Sequence, residues 1–145
     1  MNGSGDRKAG AENSYEYTTL MNILHVSVSK HLLDEHFTMV WANDFYYELI
    51  GYSKEEYTAL FRGQCDIYYI NPELGVDDRG EWEKIGGIVV RAISEGRDGY
   101  SLPTRMRRKD GTYVWVRMAG SFTQEYIDGQ RVSYTVMTDI SDISV

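Results

Sequence analysis

Arg107-Arg108-Lys109-Asp110-Gly111-Thr112-Tyr113-Val114-Trp115-Val116, answered downstream by Thr138-Asp139-Ile140-Ser141, is the stretch that decides the fold. Arginines and apolar residues alternate around an Asp-Gly corner, the pattern of a tight β-hairpin. A second corner, Asp128-Gly129, precedes one more alternating run, so adjacent antiparallel strands are expected at about 99–108, 112–126 and 130–140. The first corner admits two registers. A two-residue Asp110-Gly111 turn sets Met106 opposite Trp115. A three-residue Lys109-Asp110-Gly111 loop, with Gly111 left-handed, pairs Arg108 with Thr112 instead. The second register collects Thr104, Met106, Val114, Val116 and Met118 on one face, and Arg105, Arg107, Tyr113, Trp115 and Arg117 on the other. A one-residue slip would move every side chain to the opposite face, so the cleaner sorting is expected.

Upstream, residues 1–13 are rich in Gly, Ala and charge without a hydrophobic period, and are expected to be disordered. Ser14 can cap a short amphipathic helix, Tyr15 to Leu24, with Tyr15, Thr18 or Thr19, and Met21-Asn22-Ile23 at near-helical spacing. Val26 and Val28 alternate with Ser27 and Ser29, and Phe37, Met39 and Trp41 with Thr38, Val40 and Ala42, around the polar link Asp34-Glu35-His36. That predicts a hairpin. Asn43 or Asp44 caps a helix with Phe45, Tyr46, Leu49 and Ile50 on one face, ended by Gly51. Ser53 with Glu56 forms a capping box for another helix through Phe61. Residues 62–76 read as irregular, broken at Asn71-Pro72. A longer helix runs from Asp77 or Asp78 to Ser94, with Trp82, Ile85, Val89 and Ile93 at core spacing and Gly96 as its stop.

The bulk composition fits one domain of 145 residues, 42% hydrophobic and 13% aromatic. No run approaches the ~18–20 apolar residues of a membrane span, and no signal peptide is recognisable. A net charge of −7 argues against nucleic acid. The basic cluster Arg105 to Lys109 reads as a solvated sheet face. The single cysteine, Cys65, excludes an internal disulfide and suits a reducing cytoplasm.

Two segments carry a family likeness. Trp41-Ala42-Asn43-Asp44-Phe45 with Leu49-Ile50-Gly51-Tyr52-Ser53-Lys54-Glu55-Glu56 resembles the N-terminal half of a PAS domain. The hairpin Arg105 to Val116 with Thr138-Asp139-Ile140-Ser141 resembles that family's C-terminal (PAC) motif. The likeness covers about residues 15–143. It implies an α+β fold: a five-stranded antiparallel sheet of order 2-1-5-4-3, short helices packed over one face around a small cavity, and an N-terminal capping helix. Residues 14–145 would form this single domain. It further implies a non-catalytic sensory module whose Asp139-Ile140-Ser141 end feeds a connector to an output domain, often a histidine kinase of a two-component system or a cyclic-dinucleotide enzyme such as a diguanylate cyclase. The chain stops where that connector would begin, which reads as an excised sensor domain rather than a full-length small protein.

Flavin is disfavoured as a ligand. Cys65 lies near the place of the adduct-forming cysteine of the light-sensing (LOV) relatives, but the positions that would carry ring-reading groups hold Asp66, Met106, Val116 and Met137. Haem is disfavoured because the resemblance implies an axial histidine on the long helix, where haem-binding relatives usually place it, and residues 78–94 contain none. His25, His31 and His36 are expected at the surface or sheet edge, and too far apart to share a metal. What remains is a small-molecule pocket or none; the candidate lining is Trp82, Ile85, Val89, Met106, Val114, Val116 and Met137, with Arg105 or Arg108 near the mouth as candidate anion partners. Gly86-Gly87 either makes room for a ligand or allows close helix-to-sheet packing. The methionines serve equally as plain core filler.

On the opposite sheet face, Trp115 with Tyr113, and Tyr134 or Val136, leaves apolar area that needs a cover. The covers expected are the helix carrying Tyr15 and Leu20, a second copy of the chain, or both; the alternative is shielding by arginine stems alone. A homodimer using this face is therefore expected, and a dimerisation and relay module without ligand is the second functional reading. No catalytic motif is recognisable.

Overall fold

The computed structural model describes residues 15–17 and 19–141. The decisive corner takes the three-residue form. Arg108 N donates to Thr112 O at 2.7 Å and Gly111 N to Arg108 O at 2.9 Å, while Gly111 holds φ +89°, a value side chains with a Cβ rarely adopt. Asp110 Oδ1 accepts from Thr112 N at 2.9 Å and fixes the corner from outside. Strands β5 (Gly99–Arg107) and β6 (Tyr113–Ile127) pair antiparallel with Met106 opposite Val114 and Thr104 opposite Val116. Thr104, Met106, Val114, Val116 and Met118 are all buried, as that register requires.

Strands β1 (Ser27–Leu32), β2 (Met39–Ala42) and β7 (Gln130–Asp139) complete the main sheet. Its order is β2-β1-β7-β6-β5, antiparallel at every pairing. This is the expected 2-1-5-4-3 once two short strands outside the sheet, β3 (Ile70–Asn71) and β4 (Val76–Asp77), are set aside.

Helices α1 (Asp44–Ile50), α2 (Lys54–Phe61), α3 (Cys65–Tyr69) and α4 (Arg79–Ser94) pack over one face. Asn43 caps α1 by accepting from Tyr46 N at 3.2 Å. The same side chain accepts from Val28 N at 3.0 Å and donates to Val26 O at 2.8 Å, so it staples the helix to β1. Ser53 and Glu56 form the reciprocal capping box of α2. The helices meet the sheet through a cluster of Tyr46, Tyr57, Phe61 and Tyr68, all almost fully buried. Edge-to-face contacts such as Tyr57–Phe61, at 5.0 Å between centroids, link its members, each adding about 0.5–1.5 kcal/mol beyond its area.

The expectation of irregular chain at 62–76 is corrected: α3, β3, a 3₁₀ turn at Pro72–Leu74 and the start of β4 lie there. With five residues and no side-chain N-cap, α3 is too short to carry a periodic signal. Phe37 does not continue β2; it holds φ +49°, costly for a bulky residue. Gly120 permits a close approach. Tyr100 lies over it so tightly that a Cβ there would sit 2.0 Å from Tyr100 Cε1.

Residues 15–17 and 19–24 are helical as expected, whereas Ser14 and the segment 1–13 fall outside the described residues. Among the described residues, no helix is long and apolar enough to cross a membrane.

Candidate functional site: an inner chamber and its walls

Pairing of β1 with β7 sets Ser29 opposite Thr135 and His31 opposite Ser133. All four side chains are buried on the inner face of the sheet. The expectation that His31 lies at the surface is therefore wrong, and Lys30 explains why. A lysine between Ser29 and His31 forces the opposite face outward, so the polar pair goes in.

The His31 ring is tightly specified. Its Nδ1 lies 3.1 Å from Phe37 O; a carbonyl only accepts, so Nδ1 carries the hydrogen. Nε2 then accepts from the Ser29 hydroxyl at 2.8 Å. The ring stacks on Phe37 with centroids 4.2 Å apart. Burial pushes the His31 pKa down to about 4, against weaker opposing effects of the Phe37 carbonyl and Asp34. Cys65 Sγ sits 3.7 Å from Nδ1. Because that nitrogen's hydrogen is directed at Phe37 O, the thiol has no base, and burial raises its pKa strongly. Cys65 is an inert, protonated thiol in this arrangement.

Between these groups and the helices lies a chamber of ≈ 20 Å³, bounded by Ser29, His31, Cys65, Met106, Thr135 and Met137 among others. That is room for about one water. Of the lining expected from sequence, Trp82, Ile85, Met106 and Met137 do face the chamber. Val114 and Val116 are buried on the same sheet face but contribute none of its walls. Val89 belongs to a separate groove along α4. Arg108 is not at the chamber mouth; it lines a shallow depression with Gly51, Lys109 and Asp110 at the hairpin corner.

The chamber does not fit a flavin. The polar side chains in its walls are hydroxyls, one imidazole, one thiol and one indole, with no amide side chain among them, and the free volume is far below that of a ring system. Among the described residues, no His, Cys, Asp and Glu cluster could hold a metal ion.

The basic cluster on the hairpin is not simply solvated. Arg107 curls round the sheet edge and is buried, with Nη1 donating to Asp78 Oδ2 at 2.8 Å and Nη2 to Tyr68 O at 2.9 Å. Tyr113 OH donates to the other Asp78 oxygen at 2.7 Å. Two residues earlier on the strand, Arg105 packs 4.2 Å from the Tyr113 ring and pairs with Glu81 at 3.6 Å; Thr104 donates to the same carboxylate. The first turns of α4 are thus tied to β5 by charge.

The outer sheet face keeps its apolar area. Trp115 is 44% exposed, Val136 36%, Tyr15 75% and Leu20 52%; Tyr134 is half-buried. The N-terminal helix leaves Trp115 uncovered, and Lys84 Nζ stands 6.0 Å from its ring. The end of β7 is held by the main chain beside Trp115: Ile140 N donates to Trp115 O at 3.0 Å and Ser141 N to Asp139 Oδ1 at 2.8 Å.

No family model matches the chain, and no curated protein does. Solved structures do. A PAS domain from Colwellia psychrerythraea is 19% identical, with a TM-score of 0.63 over 88% of this chain and 97% of that one. The N-terminal domain of a diguanylate cyclase with PAS/PAC sensor from Marinobacter aquaeolei is 17% identical, with a TM-score of 0.54 over 83% of this chain and 99% of that one. A light-oxygen-voltage domain studied with a flavin analogue is 16% identical, with a TM-score of 0.58 over 89% and 87%. The chain has the PAS fold.

Proposed function

We propose that this chain is a sensory PAS domain that takes a small molecule between sheet and helices and relays its state, through the Asp139-Ile140-Ser141 end, to an output domain of the histidine-kinase or cyclic-dinucleotide type. The observation that carries this reading is the placement of the polar chamber walls. Ser29 and His31 stand on β1, and Thr135 and Met137 on β7, the strand that ends at Asp139. At ≈ 20 Å³ the chamber is nearly filled by its own walls, so any ligand larger than a water must displace one of them. A ligand that binds only the opened form shifts the population toward it, and that is the relay. Phe37, with its left-handed backbone, is the wall with most to gain from moving. The free thiol of Cys65 suits a cytoplasmic setting, and no catalytic role is assigned to any residue.

Native mass spectrometry of the purified chain, joined to a thermal-shift screen of small metabolites, tests this. The expected result is a bound species, or stabilisation that His31→Gln removes. Stabilisation that survives His31→Gln and Thr135→Val alike would contradict it.

A second reading is favoured by the exposed outer face. Here the domain acts as a ligand-free dimerisation and relay module, with Trp115, Val136, Tyr134 and the helix bearing Tyr15 and Leu20 against a second copy.

A further inference from the structure

A larger hollow lies between α4 and the link from Leu33 to Phe37, along the helix from Trp82 to Ile93. Its volume is ≈ 440 Å³, within the roughly 300–1,000 Å³ of small-molecule sites. The walls are mostly apolar, with Leu33, Phe37, Trp82, Ile85, Val89 and Val90 prominent.

Two features of this groove set what it can hold. Gly86 and Gly87 sit inside a 16-residue helix, where glycine is the poorest helix former after proline. Close packing would justify them, yet a Cβ on either would meet nothing within 4 Å. What the glycines do is leave the groove floor bare. Second, every charged residue of the lining is acidic: Asp34, Glu35 and Glu83. Asp34 is held rigidly in place, its carboxylate accepting from Thr38 N at 2.9 Å, Thr38 Oγ1 at 2.7 Å and His36 N at 3.2 Å. Those bonds to Thr38 and His36 outweigh partial burial and keep it ionised.

We propose that this groove is a binding site for a small organic cation with an apolar body, an alkyl- or arylalkylammonium. The hydrocarbon lies on Gly86 and Gly87 between Phe37 and Val90, and the ammonium faces the carboxylates of Asp34, Glu35 and Glu83. Aromatic rings in the wall, Phe37 and Trp82, favour a cation further. An anionic ligand is rejected by the same carboxylates. The site is separate from the inner chamber, but Phe37, Trp82 and Ile85 line both. It stands whether or not the chamber takes a ligand of its own.

The test is a ¹H–¹⁵N NMR titration of the whole chain with 2-phenylethylammonium, alongside 2-phenylethanol and 3-phenylpropionate as neutral and anionic counterparts. Saturable shifts are expected at the amides of Gly86 and Gly87 and at the Trp82 indole, with the ammonium binding roughly fivefold tighter than the alcohol and the carboxylate not at all. Glu83→Gln should narrow the gap between ammonium and alcohol. Gly87→Leu fills the floor with a better helix former, so it should abolish the shifts while the melting temperature holds or rises. Absence of groove shifts at millimolar ammonium overturns the proposal. So does equal binding of the carboxylate, or binding that survives Gly87→Leu.

Discussion

Arg107 Nη1 lies 2.8 Å from Asp78 Oδ2, and each side chain is only 6% exposed. This pair joins the end of β5 to the N-cap of α4, so the hairpin that identifies the fold also anchors its longest helix. Removing one partner of a buried pair strands the other charge, at about 3–5 kcal/mol. Asp78→Leu should therefore lower stability by about 3 kcal/mol in urea unfolding, and adding Arg107→Met should restore most of it. A loss below about 1 kcal/mol in the single variant would mean that Tyr68 O and water already satisfy the guanidinium.

His31 makes stability depend on pH with a definite sign. Its folded pKa is about 4 against an ordinary 6.5, so between those values the unfolded chain binds a proton that the folded one refuses. The stabilisation is complete above pH 6.5 and is lost as pH falls toward 4, roughly 3 kcal/mol in all. His36 works in the opposite direction: its hydrogen bond to Asp66 raises its pKa, so its contribution is present at low pH and lost as pH rises. Urea unfolding should show stability rising from pH 4 to 6.5, a slope that His31→Gln flattens, and a decline above pH 6.5 that His36→Gln removes. An unchanged slope in His31→Gln would place the titration elsewhere.

If the outer face is a partner surface, Trp115 at 44% exposure is its centre. Sedimentation equilibrium at high concentration should give a dimer that Trp115→Asp converts to monomer without loss of secondary structure. A monomeric parent would remove the dimer reading for this segment.

Gly120→Ala should cost about 1–3 kcal/mol, because its Cβ would meet the Tyr100 ring at 2.0 Å. Thermal unfolding measures it directly, and pairing it with Tyr100→Ala should lessen the cost. A neutral Gly120→Ala would show that Tyr100 swings away freely.

Much of this architecture can be read from residues alone. The hairpin register follows from sorting Met106, Val114 and Val116 against Arg105 and Trp115, and the caps at Asn43 and Ser53 are local signals that tertiary contacts left intact. The chamber was only half legible. Periodicity of two assigns Ser29 and His31 to one face without saying which is inside, and hydrophobicity favoured the valines. The lysine between them held the answer. Arg107 was misplaced because a strand face does not reveal that a long side chain at an edge can fold back to meet Asp78. Gly86-Gly87 was ambiguous for a similar reason: only the surroundings tell open space from close packing.

Whether occupancy of the chamber is felt at residues 138–141 can be tested without knowing the natural ligand. His31→Ala removes an imidazole from the chamber wall, and free imidazole can be titrated back while backbone amides are followed by NMR. Saturable shifts are expected at Ser29 and Thr135, accompanied at the same midpoint by shifts at Thr138, Ile140 and Ser141. Imidazole binding that moves Ser29 and Thr135 but leaves residues 138–141 unchanged would contradict the proposed relay.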